Sequence, residues 1–124
     1  MKINAERLWQ RLMTMAQIGA IPGDGVNRQA LSKQEAESWR LMLHWAQSSD
    51  LAMCSDEAGN LFVILPGSDR QAAPLLLGSH LDSQPTGGRF DGVYGVLGGA
   101  GGAGGVTRRQ HPARLRGGSG ILDE

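Results

Sequence analysis

Three residues of this 124-residue chain, His80, Asp82 and Asp91, combine type and spacing in a way that suits chemistry. They lie in the stretch Gly78-Ser79-His80-Leu81-Asp82-Ser83-Gln84-Pro85-Thr86-Gly87-Gly88-Arg89-Phe90-Asp91-Gly92-Val93-Tyr94-Gly95-Val96. The preceding run Pro74-Leu75-Leu76-Leu77-Gly78 is continuously apolar, as expected of a strand buried on both faces. His80 would therefore leave the carboxyl end of a strand, where open α/β sheets place their ligands. Asp82 lies two residues on, so an extended backbone points it to the same side as His80. There it can accept the second imidazole N–H and fix the tautomer of a metal-bound histidine. Asp91 arrives from a loop made pliable by Gly87, Gly88 and Gly92, and its two carboxylate oxygens could bridge two cations. A cocatalytic pair of divalent ions, roughly 3.5–4 Å apart, needs such a shared anion to offset its mutual repulsion.

The elements that must position these residues read as α/β material. From Asn4, a candidate N-cap, Leu8, Leu12, Met15 and Ile18 follow helical spacing up to Gly19. Pro22-Gly23-Asp24-Gly25 then breaks the chain into a loop. Ser32-Lys33-Gln34-Glu35 has the form of a capping box, and Ala36, Trp39, Leu43 and Ala46 would form one face of the helix it opens. The tryptophans and methionines at this spacing are core residues rather than a cofactor box, and His44 is read as a packed or surface histidine. Leu51 to Cys54 and Leu61 to Leu65 flank Asp56-Glu57-Ala58-Gly59-Asn60 as the two arms of a hairpin.

Composition narrows the function classes. Twelve basic and twelve acidic residues give a formal net charge of zero, which suggests neither nucleic acid nor an acidic membrane as a partner. Cys54 is the single cysteine and cannot form an internal disulfide. No apolar signal core follows Met1, and no run approaches a membrane span, so a cytoplasmic setting is expected. The charges are unevenly placed. Residues 100–124 hold four Arg, two acids and seven of the nineteen glycines, with no aromatic residue. Such a tail buries too little apolar surface to offset its ordering entropy, so residues 100–124 are expected to be disordered, with a boundary near Gly99.

At the His80 stretch the sequence resembles the metal-binding segment of the hydantoinase/carbamoylase family of di-metal amidohydrolases. Gly25-Val26-x-Arg28-x-Ala30-Leu31-Ser32 and Asp56-x-x-Gly59-Asn60-Leu61-Phe62 resemble further segments of that family, in the same order, so the likeness spans residues 4–99. The family includes N-carbamoyl-L-amino acid hydrolases, β-ureidopropionases and allantoate amidohydrolases, and is related to the metallo-aminoacylases and carboxypeptidases. The Gln84-Pro85-Thr86-Gly87-Gly88 wording is closer to the carbamoylases.

The resemblance implies the N-terminal part of an αβα-layered catalytic domain over residues 1–99, and two divalent ions (Zn, Mn, Co or Ni). It implies that His80 is a metal ligand, Asp91 the carboxylate bridging both metals, and Asp82 the catalytic-site carboxylate behind His80. It also implies a small-molecule substrate: an N-carbamoyl amino acid or, as alternatives, allantoate or an acyl amino acid or dipeptide. Intact members are homodimers through an inserted domain that these residues lack. The family's general-base glutamate and remaining ligands are not recognisable here, and Asp123-Glu124 is read as a coincidental acidic pair. Where the family pattern expects a helix start such as Leu-Glu-Val-Leu, this chain reads Ala100-Gly101-Gly102-Ala103-Gly104-Gly105. Shifting Ala (GCN) and Gly (GGN) codons by one base permits Leu-Glu-Val-Leu-Ala-Ala. The tail is thus expected to be out of frame and the product to be a non-catalytic, truncated piece.

Overall fold

The computed structural model describes residues 3–69 and 71–108, with side chains as far as residue 101. Among the described residues, three helices and five short strands follow in the order α1 (Ala5–Met15), β1 (Ala20–Ile21), β2 (Gly25–Val26), α2 (Lys33–Gln47), β3 (Ala52–Ser55), β4 (Leu61–Ile64), β5 (Gly87–Gly88) and α3 (Val93–Arg108). The fold is mixed helix and strand, as the sequence implies.

Asn4 opens α1: its backbone is extended and its side chain accepts from the Arg7 N–H at 2.9 Å, satisfying a donor that has no partner inside the helix. The helix ends at Met15, four residues before the expected Gly19, because the chain tightens there into bonds from Gln17 N–H to Thr14 O and Ile18 N–H to Met15 O. Pro22-Gly23-Asp24 is the tip of a small hairpin, β1 pairing antiparallel with β2 through Ala20↔Val26 and Ile21↔Gly25. β5 joins the other edge of β2 through Gly25↔Gly88 and Val26↔Gly87, giving a three-stranded sheet of order β1-β2-β5.

Ser32 caps α2 as expected, its Oγ accepting from Glu35 N–H at 3.1 Å while the Glu35 carboxylate accepts from Leu31 N–H. The buried face of α2 is Ser38, Met42 and Ala46, rotated from the expected stripe; Ala36 and Leu43 are exposed. A serine can occupy the buried position because its hydroxyl donates to Glu35 O at 2.7 Å. β3 and β4 form the expected hairpin, Ala52↔Ile64 to Ser55↔Leu61. Its turn is pinned by Asp56, whose carboxylate accepts from Asn60 N–H and from the Asn60 amide, each at 2.8 Å.

The core gathers Leu12, Met15 and Ile18 from α1 and the turn after it, Met42 from α2, Leu81, and Val93 and Leu97 from α3. Two expectations are corrected. Pro74–Gly78 is not a paired strand: no backbone hydrogen bond joins it to another described residue, and Leu75, Leu76 and Leu77 are 66%, 72% and 73% exposed. A strand exists only by virtue of a hydrogen-bonded neighbour, and none of the described strands pairs with this run. The second is the disorder expected directly after Gly99, because α3 continues as helix to Arg108 through the glycines. Glycine costs about 1 kcal/mol per helical residue relative to alanine. Yet Val93 and Leu97 are buried, α3 packs on α1, and Ala100 still touches the core, so tertiary packing rather than propensity carries the helix past Gly99. Residues 109–124, including Asp123-Glu124, lie outside the described residues. Among the described residues, no helix is long and apolar enough to cross a membrane.

Candidate metal centre

The segment carrying His80 and Asp82 is extended, so its side chains alternate. Leu81 and Ser83 are buried, whereas His80 and Asp82 face outward together. The inward pair anchors the outward pair. Leu81 enters the core, and Ser83 exchanges two hydrogen bonds with Arg28: Ser83 N–H to Arg28 O at 2.7 Å, and Arg28 N–H to Ser83 Oγ at 2.8 Å. The Ser83 hydroxyl donates to Val26 O at 3.1 Å, tying the segment to β2.

His80 and its neighbours stand as their spacing implies. His80 Nδ1 lies 3.2 Å from Asp82 Oδ1 and 3.1 Å from Asp82 O. With two acceptors at Nδ1, the proton belongs on that nitrogen and the lone pair of Nε2 is left free. Nε2 points towards Asp91, whose Oδ2 is 3.9 Å away. All three side chains remain open to solvent, Asp91 most of all.

Glycine makes this approach possible. Gly92 has φ +69°, and a Cβ there would lie 2.5 Å from the His80 ring and from His80 O. A side chain at position 92 would therefore strain the backbone and displace the imidazole. Immediately afterwards Val93 is buried and starts α3, so the backbone of Asp91 is placed between the His80 loop and a packed helix.

The donor set suits a divalent ion. An imidazole nitrogen and a carboxylate oxygen 3.9 Å apart can both be reached by one ion with bonds of about 2.0–2.2 Å. Among the described residues no three His, Cys, Asp or Glu side chains are placed to hold one metal ion together, and His80 and Asp91 stand as two donors with Asp82 as a supporting carboxylate. His44 is exposed on α2. His111 lies outside the described residues.

Sequence reasoning missed Arg28 and Ser83 as the residues that hold the His80 segment in place. Arg28 is 1% exposed. Burial draws its pKa below the usual guanidinium range, while the negative charges of Asp82 and Glu35 oppose that fall. The signal available was an arginine embedded in the Gly25-Val26-x-Arg28 segment, with nothing in its neighbours to say that two of its partners, Leu81 and Ser83, lie more than fifty residues away.

No family model matches the chain. Among curated proteins, the chain is 49% identical over 96 residues to an N-carbamoyl-L-amino-acid amidohydrolase from Rhizobium meliloti, covering 77% of this chain and 23% of the relative. It is 41% identical over 95 residues to the N-carbamoyl-L-amino acid amidohydrolase of Geobacillus stearothermophilus, with the same two coverages. It is 34% identical over 83 residues to the allantoate amidohydrolase of Bacillus subtilis, covering 67% of this chain and 20% of that protein. The crystal structure of a hydantoinase/carbamoylase family amidase from Burkholderia ambifaria superposes with a TM-score of 0.89 at 43% identity, over 92% of this chain and 28% of that one. The chain thus has the fold of part of an amidase and spans about a quarter of the length of the relatives it matches. It belongs to the hydantoinase/carbamoylase family.

Proposed function

We propose that His80 and Asp91 are donors to a divalent-metal centre and that Asp82 orients His80. The protein to which these residues belong would hydrolyse the linear C–N bond of an N-carbamoyl-L-amino acid. The observation that carries this reading is the opposition of His80 Nε2 to Asp91 Oδ2 while Nδ1 is engaged by Asp82. Such a metal centre, when loaded, lowers the pKa of a bound water and polarises the scissile carbonyl. Asp82 keeps the Nδ1 proton in place, so that Nε2 stays a lone-pair donor. Asp91 offers two carboxylate oxygens beside that lone pair. The choice of an N-carbamoyl amino acid over allantoate is supported by the relatives' names, 49% and 41% identical on the one side and 34% on the other.

The 124-residue chain supplies a minority of the donors and no recognisable general-base glutamate. It should bind one Mn²⁺ or Co²⁺ weakly and turn over no N-carbamoyl amino acid, since loss of the base alone removes a factor of about 10²–10⁴ in rate. Calorimetric titration of the purified chain tests this. One weak site lost in His80→Ala and in Asp91→Ala is expected. Binding indifferent to both substitutions would remove the metal reading, and two tight sites or metal-dependent turnover would refute incompleteness.

A further inference from the structure

Arg28 is a buried cation whose hydrogen bonds converge on the segment that displays the candidate donors. Its Nε donates to Leu81 O at 2.6 Å, and Leu81 is the residue between His80 and Asp82. Its Nη1 donates to Met15 O at 3.0 Å and Ile18 O at 2.8 Å, carbonyls at and just past the C-terminus of α1. The cation therefore sits where the helix dipole is negative and where terminal carbonyls need donors. One planar group spans from the end of α1 to the backbone between His80 and Asp82. The main chain of Arg28 meanwhile pairs with Ser83 in both directions.

A buried guanidinium is an expensive way to fill space, because its desolvation must be offset by charge-assisted bonds, and an apolar side chain of similar volume would pack at lower cost. What an apolar residue lacks is a rigid fork with donors at fixed angles. We propose that Arg28 is a positioning residue which, with Ser83, fixes the backbone of Leu81–Ser83 and thereby the separation of His80 from Asp91. Its metal-binding consequence rests on the reading of His80 as a donor; the positioning itself does not.

The test uses the ¹⁵N-labelled full chain and its Arg28→Met, Arg28→Lys and Ser83→Ala variants, with two readouts. The first is amide hydrogen exchange at position 83 relative to the β3–β4 hairpin. Positioning requires that exchange at 83 rise tenfold or more in Arg28→Met and in Ser83→Ala while the hairpin changes less than twofold. Arg28→Lys, which keeps the charge and loses the fork, should fall between. A parallel rise at both places, or no change at 83, would make Arg28 an ordinary stabilising residue and overturn the proposal. If Arg28→Met does not fold, Arg28→Lys and Ser83→Ala decide the matter by the same ratio. The second readout is Co²⁺ affinity, expected to weaken fivefold or more in the variants that loosen position 83. Unchanged affinity in a loosened variant would show that the segment's placement does not govern the donors. Should the parent chain bind no Co²⁺, or bind it equally after His80→Ala, the metal reading fails and the exchange ratio still decides the positioning role.

Discussion

Two neighbouring stretches of this chain, Pro74–Gly78 and Leu81–Val93, are treated very differently by the fold. The first is the more hydrophobic, yet its three leucines face solvent and its backbone has no hydrogen-bonded neighbour among the described residues. The second is rich in glycine and polar residues, yet Leu81, Ser83 and Val93 are buried and its backbone is bonded to β2 and Arg28. Hydrophobicity alone therefore does not decide what is ordered here. A run of leucines gains little until another surface covers it, whereas Ser83 and Gly87 find their partners within the same chain. Asp82 and Asp91 sit on the anchored side of this divide and His80 directly precedes it, joined to the anchored Leu81, which is what a preorganised site requires.

The largest effect that would sharpen the contrast comes from paired leucine substitutions. Leu97→Ala removes a side chain that is 1% exposed at the junction of α3 with the core and should cost about 2–5 kcal/mol. Leu76→Ala removes one that is 72% exposed and should lie within about 0.5 kcal/mol of the parent. Urea denaturation of both variants checks the pair. A cost at position 76 comparable to that at 97 would mean that the leucine run is covered in solution. An uncovered apolar run is also a route to association, so Leu76→Lys should raise solubility without lowering stability.

Gly92→Ala is next in size. The substitution puts a non-glycine residue at φ +69° and a Cβ 2.5 Å from the His80 ring and carbonyl. Left-handed strain alone costs about 1–3 kcal/mol, and the overlap adds to it unless the His80 loop moves. Lower stability together with loss of metal binding is expected. Full retention of both would show that the approach of Asp91 to His80 is not constrained at this point.

How much of this was legible in the sequence follows from the range of each interaction. Asn4, Ser32 with Glu35, and Asp56 with Asn60 act within four residues, and each forms the cap or turn its residue type implies. The outward alignment of His80 and Asp82 follows from the two-residue period of extended chain. Arg28 was opaque because its partners Leu81 and Ser83 are 53 and 55 residues distant and its nearer ones, Met15 and Ile18, offer only backbone carbonyls. The face of α2 was misjudged because buried Ser38 satisfies its own hydroxyl within the helix, which no hydrophobic pattern records. The continuation of α3 past Gly99 was missed because propensity is summed locally, whereas the anchoring of Val93 and Leu97 is tertiary.

The smallest expected effect concerns the β3–β4 turn, a second anchored region distant in sequence from the donors. The Asp56 carboxylate accepts the Asn60 side-chain amide and the Asn60 backbone N–H, and these bonds hold its pKa below the usual carboxylate range. Both bonds favour the ionised form, and the unfolded chain lacks them. The unfolded state therefore binds this proton more readily, and the contribution to stability is fully present above the unfolded value of about 3.9. As pH falls through that value and then through the lower folded one, the contribution is lost. Asp56→Asn should consequently lower stability by a constant amount from pH 7 down to about 5, with the difference from the parent shrinking below pH 4. Thermal unfolding of both proteins across that range measures the difference. Because the carboxylate is exposed, the effect should be small and weakened by salt. A difference that instead grew towards acid would mean that Asp56 is not ionised in the folded turn, and that Asn60 rather than the carboxylate sets the turn geometry.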